Sequence, residues 1–200
     1  MNASKSAIIL IGYQNDYFSK NGILTNLVED TSKKLNVLSN TTQLIQNINE
    51  EILIISTPII FSEDYSELLE PIGILKIIKD SNAFKLGTTG SETIKELKQF
   101  ENRIIEIPGK HGLNAFIGTE LEKVLLENEI KTIILAGCVC SICIDSTGRA
   151  AFDKNFEVIM LSDCITGRTL FEQDFYCKEV FPLYSKVMNS IELISELDEK

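Results

Sequence analysis

The residues of this chain best placed to do covalent chemistry lie in Ile133-Ile134-Leu135-Ala136-Gly137-Cys138-Val139-Cys140-Ser141-Ile142-Cys143-Ile144-Asp145-Ser146-Thr147-Gly148-Arg149-Ala150. The run opens apolar and β-rich, breaks at Gly137, and continues with small and apolar residues at helical spacing. That pattern predicts a buried parallel strand, a tight turn and a helix start, with Cys143 in the first helical turn. A helix N-terminus gathers unpaired backbone N–H groups and about half a positive charge, so it favours a thiolate and can also hold an oxyanion. One segment could then supply a nucleophile and part of what stabilises its transition state. The alternative is a cysteine simply buried in an apolar core. Lys110, directly after Pro108-Gly109, is either a cation able to hold that thiolate or a solvated loop residue.

The elements that must carry these side chains follow from the apolar runs. Residues 7–11, 52–55, 104–107, 132–136 and 156–161 read as strands, with 186–188 as a short sixth. Helical spacing covers 28–49, 91–100 with Ser91 as N-cap, 119–128, 143–153, 173–184 and 190–197. The stretch 66–90 is the least periodic; it is expected to be irregular with one short helix, as a lid or subunit contact. Strands alternating with helices predict an α/β fold: a doubly wound, mainly parallel sheet of about six strands with helices on both faces, in a Rossmann-like three-layer arrangement. Ligands bind such sheets beyond the carboxyl ends of the strands. That rule selects residues 12–16, 57–61, 110–116, 138–143 and Asp163.

Two hundred residues with 44% hydrophobic content fit one domain, 1–200, with one substantial core. A formal charge of −10 argues against nucleic acid or an anionic membrane surface as partner. The acid is spread along the chain, with a mild excess at Glu192, Glu196, Asp198 and Glu199. The first six residues are polar and lead straight into a strand, and no apolar run approaches the roughly 18 residues needed to span a bilayer. A cytoplasmic protein is expected. Five cysteines, three of them within 138–143, fit reduced thiols better than a disulfide framework. Cys138, Cys140 and Cys143 could in principle bind a soft metal. Strand alternation and the helix turn point them apart, however, and no fourth ligand is evident, so no metal is expected.

With these motifs in order, nearly the whole chain resembles the isochorismatase-like cysteine hydrolases, which include nicotinamidases, N-carbamoyl amidohydrolases and isochorismatases. The resemblance rests on Ile11-Gly12-Tyr13-Gln14-Asn15-Asp16-Tyr17-Phe18, on Lys110 with Ala115-Phe116 and Thr119-Glu120-Leu121, and on Ala136 through Ile144 with Thr147 and Arg149. It implies Cys143 as nucleophile, Lys110 as its partner, an oxyanion hole from the N–H groups of Val139 and Cys143, and a cis peptide between Cys138 and Val139. Catalysis would run through a thioester on a small amide or other C–N bond, without a cofactor. Gln14, Phe18, Phe61 and Phe116 are expected to line the substrate pocket, and a homo-oligomer, dimer or tetramer, is expected, with 71–84 as a contact surface.

The chain departs from the resemblance at Gly12, where the family's catalytic aspartate belongs. That acid takes the thiol proton and returns it to the leaving nitrogen, work worth about a hundredfold to ten-thousandfold in rate. Asp16 is the expected substitute, with Asp163 and Glu106 as further candidates; otherwise the chain is a weak or inactive relative that binds a ligand or serves as a scaffold. The aspartate and histidines that hold zinc in the nicotinamidase branch are replaced by Thr57-Pro58-Ile59-Ile60-Phe61, and the only histidine is His111. Zinc-dependent nicotinamidase chemistry is therefore not expected.

Overall fold

The apolar runs pair into a six-stranded sheet, β1 (Ser6–Ile11), β2 (Leu53–Thr57), β3 (Ile104–Glu106), β4 (Thr132–Cys138), β5 (Glu157–Thr166) and β6 (Lys186–Met188). Every neighbouring pair is parallel, in the order β3-β2-β1-β4-β5-β6. The computed structural model describes residues 1–198, so Glu199 of the acidic tail lies outside the described residues. β1 and β4 are buried at every position, as expected of strands covered on both faces. Alternate side chains feed two cores. Ala7, Ile9 and Ile11 meet Leu121, Leu125, Ile144 and Ala151 from the helices Leu121–Glu127 and Asp145–Asp153 and the turn that leads into the latter. On the other face Ile8 and Leu10 meet Leu44, Ile45, Leu193 and Leu197 from Val37–Asn47 and Ser190–Asp198.

From β1 the chain winds outward to β3, then returns to place β4 on the other side of β1. The winding therefore reverses between β1 and β4, and a crevice opens beyond their carboxyl ends. Ile11 lies opposite Gly137 there. Gly137 has φ +123°, and a Cβ on it would run into the Ile11 carbonyl oxygen. Glycine alone keeps the two central strands in register at the mouth of the crevice.

Several boundaries differ from those read in the sequence. The expected helix over 28–49 is two, Glu29–Lys34 and Val37–Asn47, because Asn36 adopts a left-handed conformation (φ 54°) and Asn40 Nδ2 donates to the freed Leu35 carbonyl. The helix expected over 91–100 shrinks to Lys95–Lys98. Thr93 is bridged to Gln14, and the Ile94 N–H donates to Tyr13 O, so this backbone is taken by the loop after β1. Ser91 is not an N-cap; its hydroxyl donates to Thr88 O. The helix expected over 173–184 starts earlier, at Leu170, with Thr169 capping the Glu172 N–H, and loosens into turns after Phe175. β5 runs past Asp163 to Thr166, after a bulge that lets Ile165 and Thr166 pair with Gly137 and Cys138. The irregular 66–90 stretch does hold one helix, Gly73–Ser81.

Gly137→Ala is expected to cost beyond about 4 kcal/mol in denaturant unfolding, because the clash is with backbone on a central strand. A loss under about 1 kcal/mol would mean that this register is not sterically fixed.

Candidate active site

Beyond β4 the peptide Cys138–Val139 is cis. The chain then makes a wide turn, Cys140–Ile144, in which the N–H groups of Ile142 (3.0 Å) and Ile144 (3.3 Å) both donate to Val139 O. Ile144 reaches five residues back rather than four, a π-type widening of the kind frequent at functional sites. The regular helix starts only at Asp145, so Cys143 sits in this widened turn and not, as the sequence suggests, in the first α-turn. Its side chain is 6% exposed. The neighbouring Val139 N–H donates to no acceptor among the described residues.

Lys110 arrives from the other side of the crevice. Its backbone bridges Ile59 in parallel, prolonging the β2–β3 pairing beyond both strands. The residue is only 1% exposed, and a buried ammonium must find partners. Nζ donates to Gly112 O at 2.7 Å and to Cys143 Sγ at 3.5 Å. The other four thiols differ in kind. Burial raises those of Cys138, Cys140 and Cys164 far above the ordinary range and pushes Cys177 up to about 11, which holds all four neutral near neutral pH.

Of the remaining sequence-selected residues, the structure brings Phe61 to this place. It is fully buried, with its ring 5.6 Å from that of His111, the residue after Lys110. Gln14 acts on backbone. Its Nε2 donates to Ile59 O and Ser91 O, and its Oε1 accepts from the Ile59 N–H, so one amide ties the loop after β1 to the loop after β2. Phe18 stacks on Tyr13 at 5.4 Å. Phe116 packs on Phe156, which precedes β5, and beneath the Lys154 ammonium. That contact lies at the amino end of the sheet, away from the crevice.

The carboxylates are occupied elsewhere. Asp16 Oδ2 accepts from the Phe84 N–H at 2.6 Å and Oδ1 from the Ile23 N–H at 3.2 Å. A Cβ at Gly90 would strike both oxygens, so loops from three parts of the chain close on this group. Asp163 holds the N–H and hydroxyl of Ser190 and starts the last helix. Glu106 is exposed on the edge strand β3, lining a 520 Å³ cavity with Ser56, Ser91 and Lys98. Sequence reasoning passed over Tyr17. The short turn Asn15–Phe18 folds its ring back over Gly12, against Phe84, with ring centroids 4.9 Å apart. Gly12 itself has φ +74°, and a Cβ there would lie 2.8 Å from Cys138 Sγ and 3.4 Å from the Tyr17 ring.

A buried cysteine beside a buried lysine at the switch point of a parallel sheet is joined by a match over almost the full length. The family model for the isochorismatase domain fits residues 6–192. The chain belongs to the isochorismatase family. Among curated relatives, nicotinamidase 3 of Arabidopsis thaliana is 29% identical over 108 residues, covering 54% of each chain. The uncharacterized isochorismatase family protein YddQ of Bacillus subtilis (strain 168) is 24% identical over 173 residues, covering 84% of this chain and 82% of that one. The chain thus spans about half the length of the first of these relatives. A cysteine hydrolase from Pseudomonas syringae pv. phaseolicola 1448A shares the fold at TM-score 0.82 with 19% identity, covering 99% of this chain and 94% of that one. N-carbamoylsarcosine amidase from Thermoplasma acidophilum does so at 0.72 with 19% identity, covering 93% and 96%.

This isochorismatase-family chain has Thr57-Pro58-Ile59-Ile60-Phe61 at the carboxyl end of β2. The side chains of Ile59, Ile60 and Phe61 carry no metal-ligating atom, and no three His, Cys, Asp or Glu side chains converge as a metal site among the described residues. No helix among them is long and apolar enough to cross a membrane.

Two substitutions separate structure from chemistry. Asp16→Ala leaves the buried Phe84 N–H unpaired and is expected to cost about 1–3 kcal/mol in denaturant unfolding while leaving Cys143 alkylation unchanged. Gly12→Asp meets both a left-handed backbone and the Cys138 sulfur, so kcat/KM and Tm should both fall. A gain in kcat/KM would show that the space can open.

Proposed function

We propose that this chain is a cysteine-nucleophile amidohydrolase that cleaves a small amide or related C–N bond through a Cys143 thioester. The observation that carries the reading is Lys110 Nζ donating to Cys143 Sγ at 3.5 Å, with both groups buried at the switch point. An ammonium held beside a cysteine sulfur is the charge partner a thiol nucleophile needs. The thiolate adds to the substrate carbonyl, and the oxyanion takes the N–H groups of Val139 and Cys143. The amine leaves, and water then releases the acid from the thioester. The Gln14 clamp fixes the 59–61 segment, and Phe61 supplies an apolar wall.

The protein is proposed to act in the cytoplasm as a homo-oligomer. Ile72 and Ile77, 83% and 49% exposed at and within the helix Gly73–Ser81, support 71–84 as part of a contact face. Sedimentation showing a 22.4 kDa monomer at micromolar concentration would overturn the oligomer. A second reading, a ligand-binding relative without turnover, draws on the filled space at Gly12.

Limiting iodoacetamide near neutral pH is expected to modify Cys143 first, since the other four thiols are held neutral by burial. On a panel of acetamide, butyramide, benzamide and simple ureides, Cys143→Ala should lose at least about a thousandfold in kcat. Preferential labelling elsewhere, or turnover that survives Cys143→Ala, refutes the nucleophile. A wild type inert on the whole panel favours the ligand-binding reading.

A further inference from the structure

Cleaving a C–N bond raises a requirement that the pair of Cys143 and Lys110 leaves open. The departing nitrogen must receive a proton, whereas a nitrophenolate leaves without one. None of the nearby carboxylates is available: both oxygens of Asp16 accept from backbone N–H groups, Asp163 is bound to Ser190, and Glu106 stands on the edge strand. Gly12 has no side chain. Lys110 is engaged by Gly112 O, and its charge is needed by the thiolate.

What stands over Gly12 is a phenol. The Tyr17 ring lies 3.4 Å from the place a Cβ would take at Gly12 and is 3% exposed. Three other tyrosine hydroxyls donate to fixed acceptors: Tyr13 to Cys164 O, Tyr65 to Ala83 O and Tyr184 to Asp145. The Tyr17 hydroxyl has no hydrogen-bond partner among the described residues, although buried tyrosines usually find one. Nor is its oxygen among their sealed, unpartnered polar atoms, which are Thr57 Oγ1, Arg103 Nε, Glu172 Oε1 and Gln173 Oε1. Burial raises the phenol well above its ordinary value. Among the charges that add to this, a Cys143 thiolate comes first, and Asp16 contributes.

From this geometry, and resting on the reading of Cys143 as nucleophile, we propose that Tyr17 is the general acid for the leaving nitrogen. The thiolate forms the C–S bond and the carbonyl oxygen takes the negative charge. As the carbonyl re-forms, the C–N bond breaks and the nitrogen takes the Tyr17 proton, leaving a tyrosinate and a thioester. Water next gives a proton to the tyrosinate and its hydroxide adds to the thioester. The C–S bond breaks, regenerating the thiolate and releasing the carboxylic acid. Protons and electrons balance with water as the only co-reactant.

The test compares wild type and Tyr17→Phe on acetamide, butyramide and benzamide and on the p-nitrophenyl esters of the same acids. Tyr17→Phe deletes one unpartnered hydroxyl, and an unchanged Tm checks the fold. Amide kcat/KM is expected to fall about a hundredfold to ten-thousandfold, with the Cys143-dependent ester reaction within about threefold of wild type. Amide turnover undiminished in Tyr17→Phe, or amide and ester falling together, overturns Tyr17 as the acid while Cys143 stands. A wild type that cleaves the esters but no amide overturns it as well. Ester hydrolysis surviving Cys143→Ala refutes instead the nucleophile on which the proposal rests.

Discussion

A lysine ammonium enclosed against a cysteine sulfur is the contact on which this architecture turns. Burying a charge in a protein interior is costly unless it is paired, and Lys110 is almost completely buried. Its two partners come from different directions, Gly112 O from its own loop and Cys143 Sγ from the turn after β4. The chain must therefore deliver a loop from beyond β3 and a turn from beyond β4 to one point. The strand order does this, because it places the β2–β1–β4 neighbourhood beneath both. The backbone bridge of Lys110 to Ile59 and the Gln14 amide on Ile59 fix the loops to one another. Without that bracing the ammonium would relax toward water and the pairing would be lost.

The fold was legible where the physics is local or repetitive. Continuous apolar runs such as Ile8-Ile9-Leu10 and Ile133-Ile134-Leu135 mark strands buried on both faces, and the alternation with helices leaves few topologies. Legibility failed where a distant partner claimed the backbone. Nothing within 91–100 announces that Thr93 and Ile94 pair with the loop after β1. The break at Asn36 carries a weak local signal, an asparagine able to adopt the left-handed conformation, but only the structure shows Asn40 completing it.

The site divides in the same way. Cys143 and Lys110 stand out in the sequence because their motifs bring a nucleophile and a cation to strand ends. Asp16 also stood out, yet its carboxylate is fixed by the N–H of Phe84, 68 positions further along the chain. Tyr17 and Phe18 are adjacent aromatics of equal promise. Only the turn begun at Gln14, which accepts from the N–H groups of both, decides that the first faces Gly12 and the second stacks on Tyr13.

The conformation of Gly12 bears on how such a chain can change over generations. A left-handed backbone at that position, with a sulfur and a ring filling the space beside it, means that residues 12, 17 and 138 are not free to drift one at a time. An acid at position 12 would need Cys138 shrunk or Tyr17 moved, and either change made alone would lose packing. The three positions therefore form one packing unit, in which a change at one is felt at the other two.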